Sequence, residues 1–268
     1  DEYEISLKSG QVVYEILKSE FQCYMIHINK NHWILIDENG EENEIDKSSF
    51  SVKNIPSLKF DCIFNVIHGS PGEDGIMQKY FDKINIPITG CESLQSELTF
   101  DKIKCLDFLS AKGIKTASSL VINKKHEINI KEIEQEIGFP CFVKASKSGS
   151  SFGVFKVYNE KELNNCLNSA FNVDKNILIE SYIEGREFSI GVITFKGNIK
   201  ILPITEIITT NDFFDYEAKY EGKSKEITPA EISDRLKFKL ESLSKNIYQL
   251  LKLRGFSRSE FIVNNSGV

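Results

Sequence analysis

Hydrophobic positions in the first ninety or so residues switch between a helical and an extended period. The segment 5–20 predicts an amphipathic helix, whose apolar face consists of Ile5, Val12, Val13, Ile16 and Leu17. The segment FQCYMIHI (21–28) predicts a strand. HWILIDENGEENEI (32–45) predicts a strand, a turn at Asn39–Gly40 and a polar edge strand.

A continuous apolar run, FDCIFNVI (60–67), is typical of a strand that is buried in a parallel sheet. A loop, NVIHGSPGEDG (65–75), follows at its carboxyl end, and EDGIMQKYFDKINI (73–86) predicts a helix. This strand–loop–helix order indicates an open parallel α/β sheet, in which ligands bind beyond the carboxyl ends of the strands.

The rest of the chain begins helical and then becomes rich in strands. SELTFDKIKCLDFLSAKG (96–113) predicts one helix that Gly113 stops, SSLVI (118–122) a strand, and IKEIEQEIG (130–138) a short helix. Strands are then predicted in PCFVKAS, VFKVY, NILIESYI, EFSIGVITF, NIKILPITEI and FSRSEFIV, with a turn at NNSG (264–267).

Two helices interrupt this β-rich region. One is EKELNNCLNSAF (160–171). The other begins at TPAE and runs to Gly255, with Thr228 as its N-cap, Pro229 at its first helical position and Glu231 completing a capping box.

The composition narrows the class of protein. A length of 268 residues suffices for two or three domains, and the apolar (41%) and charged (27%) fractions are typical of globular proteins. The net charge of -6 argues against a nucleic-acid or anionic-membrane partner. No apolar run reaches the roughly 18 residues of a membrane span. No signal peptide is evident, but DEYEISLKSG does not resemble a native start, so a leader before it stays an open alternative.

The six cysteines are scattered and form no CxxC pair. Most lie within apolar helix-like or strand-like segments, which favours buried free thiols in a reducing cytoplasm over a metal cluster.

Four segments combine residue types that carry chemistry. NVIHGSPGEDG places a histidine, glycines and acids directly after an apolar run, and the segment alone is compatible with a phosphate cradle, a metal site or a tight turn. In FPCFVKASKSGSSFGVFKV a strand delivers Lys144 to a loop with Gly149, Ser150, Ser151 and Gly153. Such a loop lets backbone N–H groups approach phosphate oxygens, although a flexible hairpin tip is the simpler alternative. It is not a Walker loop, because its lysine precedes the glycines and a strand follows.

The other two segments lie further along the chain. In NILIESYIEGREFSIGV, Glu180 and Glu187 flank a linker, either as solvated strand residues or as neighbours of an adenine and a ribose. FFDYEAKYEGKS (213–224) is long, polar and aromatic, which is typical of a lid over a site.

Taken in order, these segments resemble the D-alanine–D-alanine ligases of the ATP-grasp superfamily. The resemblance spans the whole chain and includes EYEISLKSG, HGSPGEDG, IPITG, Asp101–Lys102, GSSFGV, EGREFSIGV, DYEAKY and SRSEF. It implies an α/β (α+β) ATP-grasp fold: an N-terminal open parallel α/β domain (1–95) and two β-rich domains (96–180 and 181–268) that clasp ATP. It also implies a cytoplasmic homodimer that joins two D-alanines through an acyl phosphate, for peptidoglycan precursors.

The resemblance assigns roles to individual residues. It implies that Glu2 binds the ammonium of the first D-alanine and forms a hydrogen-bonded group with Ser150 and Tyr220. His68 and Glu73 would border the substrate side, which makes their loop neither an ATP cradle nor a metal site. Arg258 would stabilise the transferring phosphoryl group, and Glu260 would bind Mg²⁺ (or Mn²⁺), a cation that prefers oxygen ligands. The residues expected to bind ATP are Lys102, Lys144, Ser151, Glu180, Ser181, Tyr182, Ile183, Glu187 and Lys219.

The sequence departs from the family pattern in two respects. The metal position has Glu260 where many relatives have Asp. The family's first strand with its glycine pair would precede Asp1, and further metal ligands, a Glu and an Asn, would follow Val268. Two alternatives therefore stay open: a D-alanine–D-lactate or D-serine ligase, and a truncated ATP-binding module without ligase activity. Tyr220 favours D-alanine as the second substrate, because its hydroxyl can join Glu2 and Ser150.

Overall fold

The computed structural model describes residues 2–124, 129–209 and 224–268. The chain forms two compact units, which are divided between Thr89 and Gly90. The division into three domains at 95 and 180 stays a prediction.

The first unit contains helices α1 (Tyr3–Leu17) and α2 (Ile76–Lys83) and strands β1 (Met25–Ile28), β2 (Trp33–Ile36), β3 (Glu42–Asp46) and β4 (Ser51–Val52). The strands form an antiparallel sheet in the order β1-β2-β3-β4. Its core is apolar and aromatic, with Leu35, Ile45, Phe50, Val52, Met77 and Phe81. The predicted helix 5–20 and the strands around 21–45 are confirmed, but β3 is not an edge strand, because Ile45 pairs with Val52 of β4.

The parallel strand predicted over 60–67 is reduced to a single parallel bridge between Ile63 and Ile88. Within the described residues the predicted parallel pairing is thus present only at this bridge, and the four named strands form a separate antiparallel sheet. The α/β fold class is confirmed. The ladder does not extend for two physical reasons. Pro87 has no N–H to donate, and the N–H of Asn65 donates to the Thr89 hydroxyl (3.0 Å) instead of a backbone carbonyl.

The second unit begins with two helices, α3 (Ser93–Phe100) and α4 (Lys102–Ala111), where one was predicted. The break lies at Asp101, whose backbone is extended and whose carboxylate accepts a hydrogen bond from the N–H of Lys104 (3.3 Å). Asp101 therefore acts as an N-cap that starts a new helix.

A central antiparallel sheet follows, in the order β5-β8-β6-β7. Its strands are β5 (Ser119–Asn123), β6 (Cys141–Ala145), β7 (Val154–Val157) and β8 (Asn176–Ser181), and helices α5 (Ile130–Glu136) and α6 (Glu160–Phe171) pack on one face. Side chains alternate between this core face, which includes Val143, Val157 and Ile179, and the opposite face.

The third sheet is built around the long strand β9 (Arg186–Phe195). Strand β13 (Phe256–Val263) pairs along one edge of β9, and β10 (Asn198–Ile201) and β11 (Thr205–Thr209) pair along the other, with β12 (Ser224–Ile227) beside β11. Helix α7 (Asp234–Leu250) and helix α4 contribute Leu240 and Leu109 to the core on one face of this sheet.

Helix α7 begins at Asp234 instead of Pro229, so the prediction of Thr228 as N-cap is wrong. Ser233 caps the helix by accepting from the N–H of Leu236 (3.3 Å). The TPAE segment is bound to the sheet instead, because the N–H of Ala230 donates to the carbonyl of Ile204 (2.8 Å) and the hydroxyls of Thr205 and Thr228 lie 2.6 Å apart. The helix ends at Leu250 rather than Gly255.

All six cysteines are free, and most are at least partly buried, as predicted; Cys62 is exposed. Burial raises the pKa of the Cys105 and Cys141 thiols to about 11, which keeps both protonated near neutral pH. Within the described ranges no helix is both long and apolar enough to span a membrane.

An ion pair between Arg186 and Glu206 yields a pH-dependent stability prediction. Two parallel hydrogen bonds (2.7 and 2.8 Å) join the guanidinium to the carboxylate, whose side chain is only 11% exposed. The Arg186 hydrogen bond lowers the pKa of Glu206 below its ordinary 4.5, so the stabilisation is present above that pH and is lost as the pH falls through the folded-state pKa.

We expect Glu206→Gln to lower the free energy of unfolding at pH 7 by about 1–2 kcal/mol, because Arg186 is half exposed and solvent screens the pair. Urea denaturation from pH 7 to pH 3 measures the effect. The difference from the parent should shrink below pH 4.5. Glu241→Gln is the control, since Glu241 and Lys237 form an exposed pair at 4.0 Å. A pH-independent effect of Glu206→Gln would contradict the assignment.

Candidate active site

In the first unit, the start of α1 and the 65–75 loop bring Glu2, His68 and Glu73 together. The Ser6 hydroxyl donates to the Glu2 carbonyl (2.9 Å) and accepts from the N–H of His68 (3.0 Å), and the ring Nε2 of His68 lies 2.9 Å from the Ser9 hydroxyl. The Glu73 carboxylate accepts from the N–H of Gly69 (2.9 Å). The three predicted residues thus share one hydrogen-bonded neighbourhood.

Glycine is favoured at Gly69 because its φ of +69° lies in the left-handed region. The Glu2 carboxylate lies so close to this residue that a Cβ would displace it. The loop is held further by the carbonyl of Gly72, which accepts from the side-chain amides of Asn65 (2.9 Å) and Gln78 (2.7 Å). The loop is thus a tight turn that presents a histidine and a carboxylate, in agreement with the substrate-side interpretation.

In the second unit, the face of the central sheet opposite its helices carries charge. On this face Phe142 of β6 lies between Lys156 of β7 and Glu180 of β8. Lys144 is the next residue of β6 on the same face. Lys144 forms an ion pair with Glu180, and its ammonium lies 5.1 Å from the centroid of the Phe142 ring. Glu180 is 7% exposed, so it is not a solvated strand residue.

The linker after β8 is lined by an aromatic ring and a lysine. The Lys156 ammonium lies 4.1 Å from the ring centroid of Tyr182. The N–H groups of Ser181 and Tyr182 donate to the carbonyls of Ser118 (2.9 Å) and Pro140 (3.3 Å), which keeps the linker extended. A flat, partly apolar wall beside extended backbone suits the stacking and edge recognition of an adenine ring.

The Gly/Ser loop lies between β6 and β7. Ser150 (φ 47°), Ser151 (φ 60°) and Gly153 (φ 70°) all adopt left-handed backbone conformations. A Cβ at Gly153 would approach the Cβ of Ala145 to 3.0 Å, so glycine allows the loop to return closely over β6. The Lys102 ammonium donates to the carbonyl of Ser148 (2.6 Å), at the entrance of this loop.

The third sheet contributes the remaining predicted residues on the face opposite its core. Side chains of Glu187 and Ser189 on β9 share this face with those of Glu260 and Ile262 on β13, because Ser189 lies opposite Glu260 and Glu187 opposite Ile262. Arg258 lies two residues before Glu260, and its guanidinium donates to the Glu260 carboxylate (3.0 Å). Both are exposed, so neither charge is committed to a core.

The structure thus groups the sequence-predicted residues into three sets: Glu2, His68 and Glu73 in the first unit; Lys102, Lys144, Ser150, Ser151, Glu180, Ser181, Tyr182 and Ile183 around the central sheet; and Glu187, Arg258 and Glu260 on the third sheet. Lys219, Tyr220 and most of the predicted lid lie outside the described residues. Sequence reasoning did not single out Phe142 and Lys156, which contact Lys144 and Tyr182 on the charged face of the central sheet. The alternation of PCFVKAS and VFKVY could have placed both beside Lys144.

Two antiparallel sheets within one compact unit, each with one helix-covered face and one charged face, together with a lysine-preceded Gly/Ser loop, define the ATP-grasp class. Comparison with known proteins agrees. A family model described as the D-ala D-ala ligase N-terminus matches residues 1–91, and one described as the D-ala D-ala ligase C-terminus matches residues 108–268. The chain belongs to the D-alanine–D-alanine ligase family.

Individual relatives cover almost the whole chain. A D-alanine–D-alanine ligase of Flavobacterium johnsoniae is 54% identical over 98% of this chain and 82% of its own length. The structure of D-alanyl-alanine synthetase A from Vibrio cholerae aligns with a TM-score of 0.87 and 27% identity, over all of this chain and 83% of that one.

Two further structures bear on ligands. The VanG D-Ala:D-Ser ligase of Enterococcus faecalis has a TM-score of 0.83 and 28% identity, over 99% of this chain and 84% of its own. The Bacillus anthracis D-alanine–D-alanine ligase complexed with ATP has a TM-score of 0.66 and 29% identity, over 77% of this chain and 65% of its own.

The Lys144–Glu180 pair leads to a binding prediction. We expect Lys144→Ala to weaken ATP binding by about tenfold or more, because it removes a cation from the charged face and leaves the nearly buried Glu180 carboxylate unpaired next to the incoming phosphates. Calorimetric titration with ATP measures the effect. Lys161→Ala on α6 is the control, since its lysine follows the cap of a helix on the opposite face. Unchanged ATP affinity in Lys144→Ala would contradict the assignment.

Proposed function

We propose that the protein joins two molecules of D-alanine into D-alanyl-D-alanine with the cleavage of ATP to ADP and phosphate, a step that supplies peptidoglycan precursors. The observation that carries the proposal is the match to a D-alanine–D-alanine ligase at 54% identity over 98% of the chain. The arrangement of the site supports it, because Lys144 and Glu180 pair on one face of the central sheet and Glu187 and Glu260 share one face of the third sheet.

The reaction has two balanced steps. The carboxylate of one D-alanine attacks the γ-phosphorus of ATP, and ADP leaves with the bond electrons. The amine of the second D-alanine then attacks the acyl carbon, phosphate leaves, and the amine loses a proton. Both steps require positioning and charge neutralisation rather than a protein nucleophile.

Described residues supply what these steps need. The Glu2 carboxylate suits the ammonium of the first D-alanine, and its neighbour His68 borders the same place. Lys102 and Lys144 are the cations next to the Gly/Ser loop, where phosphates would lie. Arg258, exposed on the third sheet, would stabilise the charge on the transferring phosphoryl group.

The residues present fit Mg²⁺ only in part. Glu260 offers hard oxygen ligands on the charged face, and Mg²⁺ characteristically binds one or two carboxylates together with substrate phosphates. Within the described ranges no cluster of three or more His, Cys, Asp or Glu side chains could hold a metal ion. When bound, Mg²⁺ would neutralise phosphate charge, and Glu260 would be its ligand from this part of the chain.

The choice of second substrate is a finer question. The similarity to a D-Ala:D-Ser ligase at 28% identity keeps D-serine as a competing second substrate, with D-lactate as the ester-forming alternative. We favour D-alanine because the family resemblance implies a hydrogen-bonded group of Glu2, Ser150 and Tyr220, to which Tyr220 would contribute a hydroxyl. The homodimer expected from the resemblance also stays a prediction.

A coupled assay tests the function. We expect release of ADP and phosphate from ATP to depend on D-alanine, and D-alanyl-D-alanine to form in equal amount. Mass spectrometry of mixtures with D-serine or D-lactate identifies the second substrate. Nucleotide binding without D-alanine-dependent phosphate release would instead identify an ATP-binding module. A predominance of the mixed dipeptide or the depsipeptide would show that the preference for D-alanine is wrong.

Glu260 gives a separate prediction about the metal. We expect Glu260→Gln to raise the Mg²⁺ concentration needed for half-maximal activity by about tenfold, because a neutral amide attracts a hard cation less strongly than a carboxylate does. Glu260→Asp should retain much of the activity. Magnesium titrations of both variants and of the control Glu241→Gln measure this. An unaltered magnesium requirement in the Gln variant would show that Glu260 is not a ligand.

A further inference from the structure

Asp101 lies where the helix that packs on the third sheet begins. Its side chain is only 8% exposed, and one carboxylate oxygen accepts from both the N–H of Lys104 (3.3 Å) and the hydroxyl of Ser146 (2.8 Å). The Lys104 bond caps α4. The Ser146 bond is different in kind, because it joins the start of this helix to the residue that follows β6 of the central sheet.

Ser146 is itself buried, with 1% of its surface exposed. Its carbonyl accepts from the backbone N–H of Lys102 (3.1 Å), and its N–H donates to the carbonyl of Asn176 on β8 (3.1 Å). Ser146 is therefore hydrogen-bonded to the central sheet through its N–H, and to Asp101 and Lys102 through its hydroxyl and its carbonyl.

The segment that Ser146 opens leads directly into the Gly/Ser loop. The N–H of Lys147 donates to the Asp174 carboxylate (2.9 Å), and the carbonyl of Ser148 accepts from the Lys102 ammonium (2.6 Å). The position of Ser146 thus determines both where the loop begins and where the Lys102 side chain lies relative to it.

The two sheets have separate hydrophobic cores. Leu109 of α4 belongs to the core of the third sheet, whereas Val143 and Ala145 of β6 belong to the core of the central sheet. The Asp101–Ser146 hydrogen bond connects an element of one core to the end of a strand of the other, next to the residues expected to bind phosphate.

We propose that Asp101 is a positioning residue for nucleotide binding: through its buried hydrogen bond to Ser146 it holds Lys102 and the 148–153 loop in register for the phosphates of ATP. This proposal rests on the proposed function for the identity of the ligand. Asp101 acts through other groups and touches no substrate, which distinguishes it from Lys102 and Lys144.

Ser146→Ala is the sharpest variant, because it removes the hydroxyl that donates to Asp101 and keeps the Asp101 carboxylate that caps Lys104. The same substitution removes the acceptor of a long hydrogen bond from the N–H of Ile103 (3.5 Å). We expect the KM and the dissociation constant for ATP to rise by about five- to tenfold, the loss of one charge-assisted hydrogen bond, while the KM for D-alanine changes by less than about twofold. The control is Ser244→Ala, which removes an equally buried serine whose hydroxyl donates to Leu240 (2.8 Å) within α7.

Asp101 variants separate positioning from capping. Asp101→Ala should weaken ATP binding at least as much as Ser146→Ala, whereas Asp101→Asn, which still offers an oxygen to Ser146 and to the cap, should restore most of the affinity. Ser233→Ala removes the N-cap hydrogen bond of α7, which is as long (3.3 Å) as the one between Asp101 and Lys104. This variant should change the melting temperature but not the affinity for ATP. The double variant Asp101→Ala with Ser146→Ala should bind ATP about as weakly as Asp101→Ala alone, because the Asp101–Ser146 hydrogen bond is already absent from the single variant.

Direct ATP titration of the 268-residue chain, read beside ligation kinetics, distinguishes the two proposals. Binding of ATP without ligation would overturn the proposed function. The ATP affinities of the Ser146 and Asp101 variants, each compared with that of the parent, would then still test the role of Asp101. Hydrogen exchange in 148–153 should be faster in Ser146→Ala than in Ser244→Ala. Three results would overturn the positioning role of Asp101. Ser146→Ala could bind ATP as tightly as the parent does, or it could raise the KM values for ATP and D-alanine to the same extent. The third such result is that the parent does not bind ATP.

Discussion

Alternation of side chains along antiparallel strands is the constraint on which the site in 90–268 depends. Helices cover one face of each sheet in this unit, so the strand residues that point toward that face must be apolar. The residues between them are released from that requirement. Strand β6 shows the effect: Val143 is fully buried in the core, and Lys144 beside it projects to the other face. The helices that stabilise each sheet thus also decide which face can hold charge.

Charge on such a face must still be compensated where solvent is scarce. Glu180 is nearly buried, and an isolated carboxylate there would cost several kcal/mol. Lys144 balances it, so the charged face is stable before any nucleotide binds. A phosphate that binds here would share the Lys144 ammonium with Glu180 instead of meeting an unpaired cation. The stability of the protein should therefore differ less between its nucleotide-free and nucleotide-bound states. On the third sheet Arg258 and Glu260 balance each other in the same way, but in an exposed setting where the pair contributes less.

Sequence reasoning located most strands of the second unit, because strands such as β6 and β9 bury every second residue. It failed where a local signal competed with a tertiary hydrogen bond. TPAE has the residues of a helix start, but the N–H of Ala230 donates to the carbonyl of Ile204, and the helix begins only after its N-cap at Ser233. FDCIFNVI has the composition of a parallel strand, but a strand needs a partner that can continue the ladder, and Pro87 and Thr89 do not. The candidate residues were found through the motifs, whereas the Lys144–Glu180 pair and the Asp101–Ser146 bond depend on register and could not be read from spacing.

The Gly/Ser loop adopts backbone conformations that glycine would adopt at lower cost. Ser150 and Ser151 both have positive φ, which costs a non-glycine residue on the order of 1 kcal/mol. Glycine at either position would avoid that cost, and the loop already uses glycine at Gly149 and Gly153. The two serines therefore place hydroxyl groups at the centre of the loop against a conformational penalty. A hydroxyl can donate to an anionic ligand, which the side chain of glycine cannot do.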